Sequence, residues 1–85
     1  MSSHPTNFQG DVTLAIKESI ESGIEGATAQ VTGSGGHFSI EVVAAIFEGK
    51  SMLESQRMVY KTIAHLMAGD LAPVHAVDTL KTRAG

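Results

Sequence analysis

Cysteine and tryptophan are both missing from the 85 residues, and there are only two prolines and one tyrosine. Without cysteine the chain cannot staple itself with disulfides, nor build a zinc or iron–sulfur site from its own thiolates. Any soft metal centre therefore needs sulfur from a partner. Aromatic residues make up 5% of the sequence, so the core has to be aliphatic. Positive charge is scarce as well: six Lys and Arg face nine Asp and Glu, for a net charge of −3 at pH 7. The basic residues are spread along the chain, which argues against a protein whose main task is gripping phosphate backbones, because that affinity grows with the number of phosphates neutralised. No stretch approaches the roughly 18 apolar residues of a membrane span. The opening Met1-Ser2-Ser3-His4-Pro5-Thr6 has no basic region leading into an apolar run. These absences imply a soluble protein of the cytoplasm or an equivalent reducing compartment, with no membrane partner.

What is present reads as one small globular domain, 42% hydrophobic and 18% charged, near the size at which a single core is just sufficient. Residues 1–9 are polar and aperiodic, which implies a flexible arm carrying His4; residues 10–82 form the domain and 83–85 a tail. From Asp11, an N-cap residue type, Val12, Ile16, Ile20 and Ile24 recur at four-residue steps, the period of an amphipathic helix that stops near Ser22 or Gly23. The strand-like run 27–32 is followed by the connector Gly33-Ser34-Gly35-Gly36. His37 to Ala45 then places Phe38, Ile40 and Val42 on one face of a strand and Ser39, Glu41 and Val43 on the other. Two such runs joined by glycines predict a β-hairpin.

After a turn at 47–51, Ser51 and Glu54 have the spacing of a capping box. The helix from Met52 to Ala68 takes its apolar face from Leu53, Met58 or Arg57, Tyr60, Ile63, Leu66 and Met67, with Glu54, Gln56, Lys61 and His65 mostly outward; a break near Tyr60 would divide it in two. Gly69-Asp70 ends it, Pro73 prevents its resumption, and Val74 to Leu80 alternates as a last strand. Elements with one apolar side each pack as a mixed sheet with helices on a single face, so the fold class is α+β.

The motifs that carry chemistry are mostly excluded. Gly23-Ile24-Glu25-Gly26 and Gly33-Ser34-Gly35-Gly36 do not sit between two helices as a KH backbone clamp requires, and Glu25 would repel phosphate. GSGG lacks the Lys-Ser/Thr ending and the following helix of a phosphate loop. There is no G-x-S-x-G elbow, and Glu18, Glu21, Glu25, Glu48 and Glu54 read as solvent-facing charges that serve solubility and helix pairing. No catalytic constellation emerges, and the chain is not expected to be an enzyme. Histidines remain. His65 reads as a surface residue. His75, at the opening of the last strand, and His37, at the end of the glycine loop, would form a pair if the hairpin tip and the start of that strand share one end of the sheet. Two imidazoles without a thiolate leave an iron or zinc centre incomplete, to be shared with an outside thiol.

Read together, Val31-Thr32-Gly33-Ser34-Gly35-Gly36-His37-Phe38, Phe47-Glu48-Gly49-Lys50-Ser51, Gln56-Arg57-Met58-Val59-Tyr60 and Val74-His75-Ala76-Val77 resemble the BolA family in order and spacing, over about residues 11 to 82. The resemblance implies an α-β-β-α-α-β fold related to type II KH domains. It also implies a non-enzymatic partner of a monothiol glutaredoxin, sharing a glutathione-dependent [2Fe-2S] cluster in iron–sulfur trafficking or iron and redox regulation. By the same resemblance His75 is a cluster ligand and His37 the second, while the glutaredoxin cysteine and the glutathione thiol hold the other iron. Gly33 to Gly36 would give His37 slack to swing. Apo protein is expected to pair with itself or with the glutaredoxin through the same edge. The sequence stops at Gly85 without the Pro-x-Glu-Trp-like tail of many relatives. The alternative is a DNA-binding transcriptional regulator using a helix-turn-helix-like element, for which Lys50, Arg57 and Lys61 are the available cations, with Glu48 and Glu54 opposing them.

Overall fold

The computed structural model describes residues 11–85, so the expected arm and His4 lie outside the described residues. The first helix, α1 (Val12–Gly23), starts where Asp11 accepts a hydrogen bond from the Leu14 N–H, and buries Ile16 and Ile20. The strands β1 (Thr28–Ser34) and β2 (His37–Val43) pair antiparallel, with Ser34 opposite His37. Only Gly35 and Gly36 lie between them, with φ of 63° and 87°. Positive φ at both central residues is what a tight two-residue hairpin with the right twist demands, and glycine adopts it without steric cost. The four-residue connector expected from the sequence is thus half as long: Gly33 and Ser34 belong to β1. His37 is the first residue of a strand and not the end of a slack loop.

A one-turn 3-10 helix (Ala45–Phe47) precedes α2 (Met52–Met67), and the Ser51–Glu54 capping box forms as expected. The helical material after β2 is therefore a short turn plus one continuous helix that passes Tyr60 without a break. The buried face of α2 runs through Ser55, Val59, Ile63 and Leu66, whereas Leu53 is 56% and Tyr60 38% exposed. Hydropathy alone ranks Leu53 and Tyr60 above Ser55. The i, i+4, i+8, i+11 geometry overrides that ranking, because a helix can turn only one stripe to the sheet.

The third strand, β3 (Ala76–Arg83), pairs parallel to β2, giving the order β1-β2-β3. A parallel neighbour needs a crossover connection, and α2 supplies it. Strand β3 begins and ends later than the alternation of 74–80 suggests, and Ala44 N–H, one residue past β2, donates to the carbonyl of Arg83, the last residue of β3. Phe38, Ile40 and Val42 on β2 face Ile16, Ile20, Val59, Ile63 and Leu66 in one aliphatic core, with both helices on that side.

Helix side chains also reach the backbones of both outer strands. Glu21 accepts from the Ala29 N–H at 2.9 Å, and Lys17 Nζ donates to Ala29 O at 2.8 Å as well as to Glu21. On the other edge Gln56 Nε2 donates to Leu80 O at 3.1 Å. Glu21 and Gln56, both expected to face solvent, tie helices to edge-strand backbone that water would otherwise serve.

Candidate functional site

The hairpin turn is fastened to the entry of β3. Gly36 O accepts from the backbone N–H of His75 at 2.8 Å and of Ala76 at 3.0 Å. In the parallel register His37 stands opposite Ala76. The two histidines singled out in the sequence therefore sit side by side at one end of the sheet, His37 as the first residue of β2 and His75 as the residue just before β3. Both are exposed. The segment leading to His75 is not: Pro73 and Val74 are buried, and Val74 N–H donates to Leu66 O at 3.1 Å. His75 thus emerges to solvent from an anchored stem.

His37 has a partner the sequence reading did not name. Its Nδ1 lies 3.2 Å from Asp78 Oδ1. With the Nδ1 side occupied, Nε2 is the nitrogen left for another ligand. Among the described residues no three His, Cys, Asp or Glu side chains are grouped to hold a metal ion by themselves. At this end the chain offers two exposed imidazoles and the Asp78 carboxylate beside one of them.

The remaining candidates fall elsewhere. His65, exposed on α2, approaches Ser19 Oγ at 3.4 Å. Lys50 precedes α2, and Arg57 and Lys61 are one turn apart on it; all three are exposed. Glu54 stands among them, its carboxyl held below the usual range first by the Ser51 N–H and hydroxyl and further by Lys50 and Arg57. That carboxylate offsets part of the positive field that a phosphate would meet. No helix among the described residues is long and apolar enough to cross a membrane.

Two helices on one face of a three-stranded mixed sheet make this an α+β domain. Its fold is that of solved BolA proteins. A BolA homologue from Coxiella burnetii superposes with a TM-score of 0.74 at 33% identity, covering 88% of this chain and 92% of that one. The solution structure of BolA1 from Mus musculus gives a TM-score of 0.63 at 28% identity, covering 99% of this chain and 72% of that one. BolA-like protein 1 of Mus musculus is 33% identical over an alignment covering 80% of this chain. The chain spans 55% of that curated relative's length. The BolA-like protein family profile matches residues 7–84, and the chain belongs to the BolA family.

Proposed function

We propose that this protein is a non-enzymatic iron–sulfur partner that lends His75 and His37 to a [2Fe-2S] cluster whose sulfur donors come from a monothiol glutaredoxin and glutathione. The observation that supports this most is the fastening of the glycine turn to the start of β3, which brings two exposed imidazoles to one end of a cysteine-free domain. The donor set suits one iron of such a cluster: two neutral imidazoles on this side, thiolates on the other. When bound, the cluster supplies one-electron chemistry and a transferable iron–sulfide unit. The residues of this chain hold and orient. Gly36 O fixes the hairpin tip against the His75 backbone, the Pro73-Val74 stem keeps the His75 segment anchored, and the pairing of His37 with Ala76 fixes its Cα on the neighbouring strand. Imidazole in place of thiolate makes the cluster less negative and raises its potential.

The test is reconstitution of the chain with a monothiol glutaredoxin, glutathione, iron and sulfide, followed by visible absorption and circular dichroism. The mixture develops a spectrum that neither protein gives alone. His75→Ala abolishes it or returns it to that of the glutaredoxin alone, and His37→Ala weakens it. Two variants that keep the native spectrum and affinity contradict the assignment. Tight DNA binding by the apo protein, with affinity falling steeply as salt rises, would point instead to the cations of α2.

A further inference from the structure

The parallel ladder between β2 and β3 contains one irregularity, and it lies beside the histidine pair. Phe38 pairs with Val77 but Ser39 pairs with Thr79, so Asp78 is an extra residue on β3 with no opposite number. Its neighbours show the result. Val77 and Leu80 both pack against the core, leaving two consecutive residues, Asp78 and Thr79, turned away from it. In an unbroken strand only one outward residue separates two inward ones. A bulge of this kind re-aims a side chain at the expense of a regular ladder. Here the re-aimed carboxylate meets the Nδ1 of His37, which alternation with the buried Phe38 places on the helix-free face.

Stability does not account for the contact. The side chains of His37 and Asp78 are 59% and 55% exposed, and a polar contact that open to water adds little to stability. Orientation is another matter, since a weak bond suffices to choose between two ring nitrogens. Neutral imidazole carries one proton, and a carboxylate at Nδ1 keeps it there, leaving the Nε2 lone pair bare. Metal-binding histidines are held this way by outer-shell carboxylates.

We infer that Asp78 is a positioning residue for His37: extruded by the β3 bulge, it holds the Nδ1–H tautomer and presents Nε2 outward to a metal. This rests on the reading of His37 as a ligand, yet its first test needs no metal. In apo protein labelled with 15N-histidine, long-range 1H–15N correlation in mildly alkaline buffer shows His37 protonated mainly at Nδ1. Asp78→Ala transfers the proton mainly to Nε2 and leaves the His65 and His75 patterns and the backbone amide spectrum of the core unchanged. A native His37 already protonated at Nε2, or a tautomer indifferent to Asp78→Ala, overturns the inference.

The second readout is the reconstituted complex challenged with a chelator. Loss of an outer-shell partner weakens metal retention by roughly 10- to 100-fold, so Asp78→Ala releases iron faster by about that factor, with His37→Ala at least as severe. If His37→Ala speeds release and Asp78→Ala does not, the role of Asp78 falls while His37 stands as a ligand. If neither does, the assignment of His37 falls too.

Discussion

Gly33 lies on β1 with φ of 135°, and a methyl group built there would stand 2.2 Å from the carbonyl oxygen of His37. No side-chain rotation relieves that approach, because the position of Cβ is fixed by the backbone and the oxygen belongs to it. Gly33→Ala is therefore expected to destabilise the domain by about 1 to 3 kcal/mol and to displace the first residue of β2. Denaturant unfolding checks the first effect, and the amide shifts of His37 and Phe38 the second. An alanine variant as stable as the native chain would show that the strands do not approach as closely as the register requires. At this scale the two histidines were legible as a pair because each adjoins a strong local signal, a glycine turn for one and the turn that contains Pro73 for the other. Asp78 was not. The run from Val74 to Leu80 was read as regular alternation although the two consecutive polar residues Asp78 and Thr79 break it, and which of them is the extra residue shows only in the register with β2.

Among the elements, α2 shows where pattern reading and packing diverge. Its start, its capping box and its approximate end follow from local chemistry that needs no tertiary context, and all three were legible at Ser51, Glu54 and Gly69. Its buried stripe was legible only in part. Ile63 and Leu66 were expected inside, but Val59 and Ser55 complete the stripe in place of Leu53 and Tyr60. A ring of apolar residues around a helix offers several stripes, and contact with the sheet selects one. The distinction is measurable. Ile63→Ala, at a fully buried position, is expected to cost about 2 to 5 kcal/mol. Leu53→Ala is expected to stay within about 0.5 kcal/mol, as for a surface substitution. Equal losses would place the stripe where hydropathy put it. The same logic explains Glu21 and Gln56: a polar residue beside a helix face looks solvent-bound until an edge strand comes within reach.

For the molecule as a whole, three carboxyls with lowered pKa link folding to pH. The Ala29 N–H, and after it Lys17, hold Glu21 below the usual carboxylate range; the Ser51 N–H does the same for Glu54, and the Thr13 hydroxyl, then the Leu14 N–H, for Asp11. A folded-state pKa below the unfolded one contributes stability that is present above the unfolded values, about 4.3 for Glu and 3.9 for Asp, and is lost as pH falls through the lower folded values. The urea midpoint is accordingly expected to fall progressively once pH drops below about 4.3; a midpoint that holds or rises between pH 5 and 3 would contradict these bonds. Two of the three hold an element at its joint, α1 to β1 and the cap of α2, so acid should release the end of α1 from β1 and fray the start of α2 before it reaches the core.

The central claim, that this cysteine-free domain supplies the nitrogen side of a shared cluster, is met most directly by hyperfine spectroscopy. The complex is assembled from unlabelled glutaredoxin and glutathione with this chain carrying 15N-histidine, the cluster is reduced, and pulsed electron paramagnetic resonance reads the nuclei bonded to iron. The account predicts strong 15N couplings from two imidazoles, one of them absent in the weakened cluster of His37→Ala. A cluster that forms in the complex yet shows no 15N coupling would contradict it.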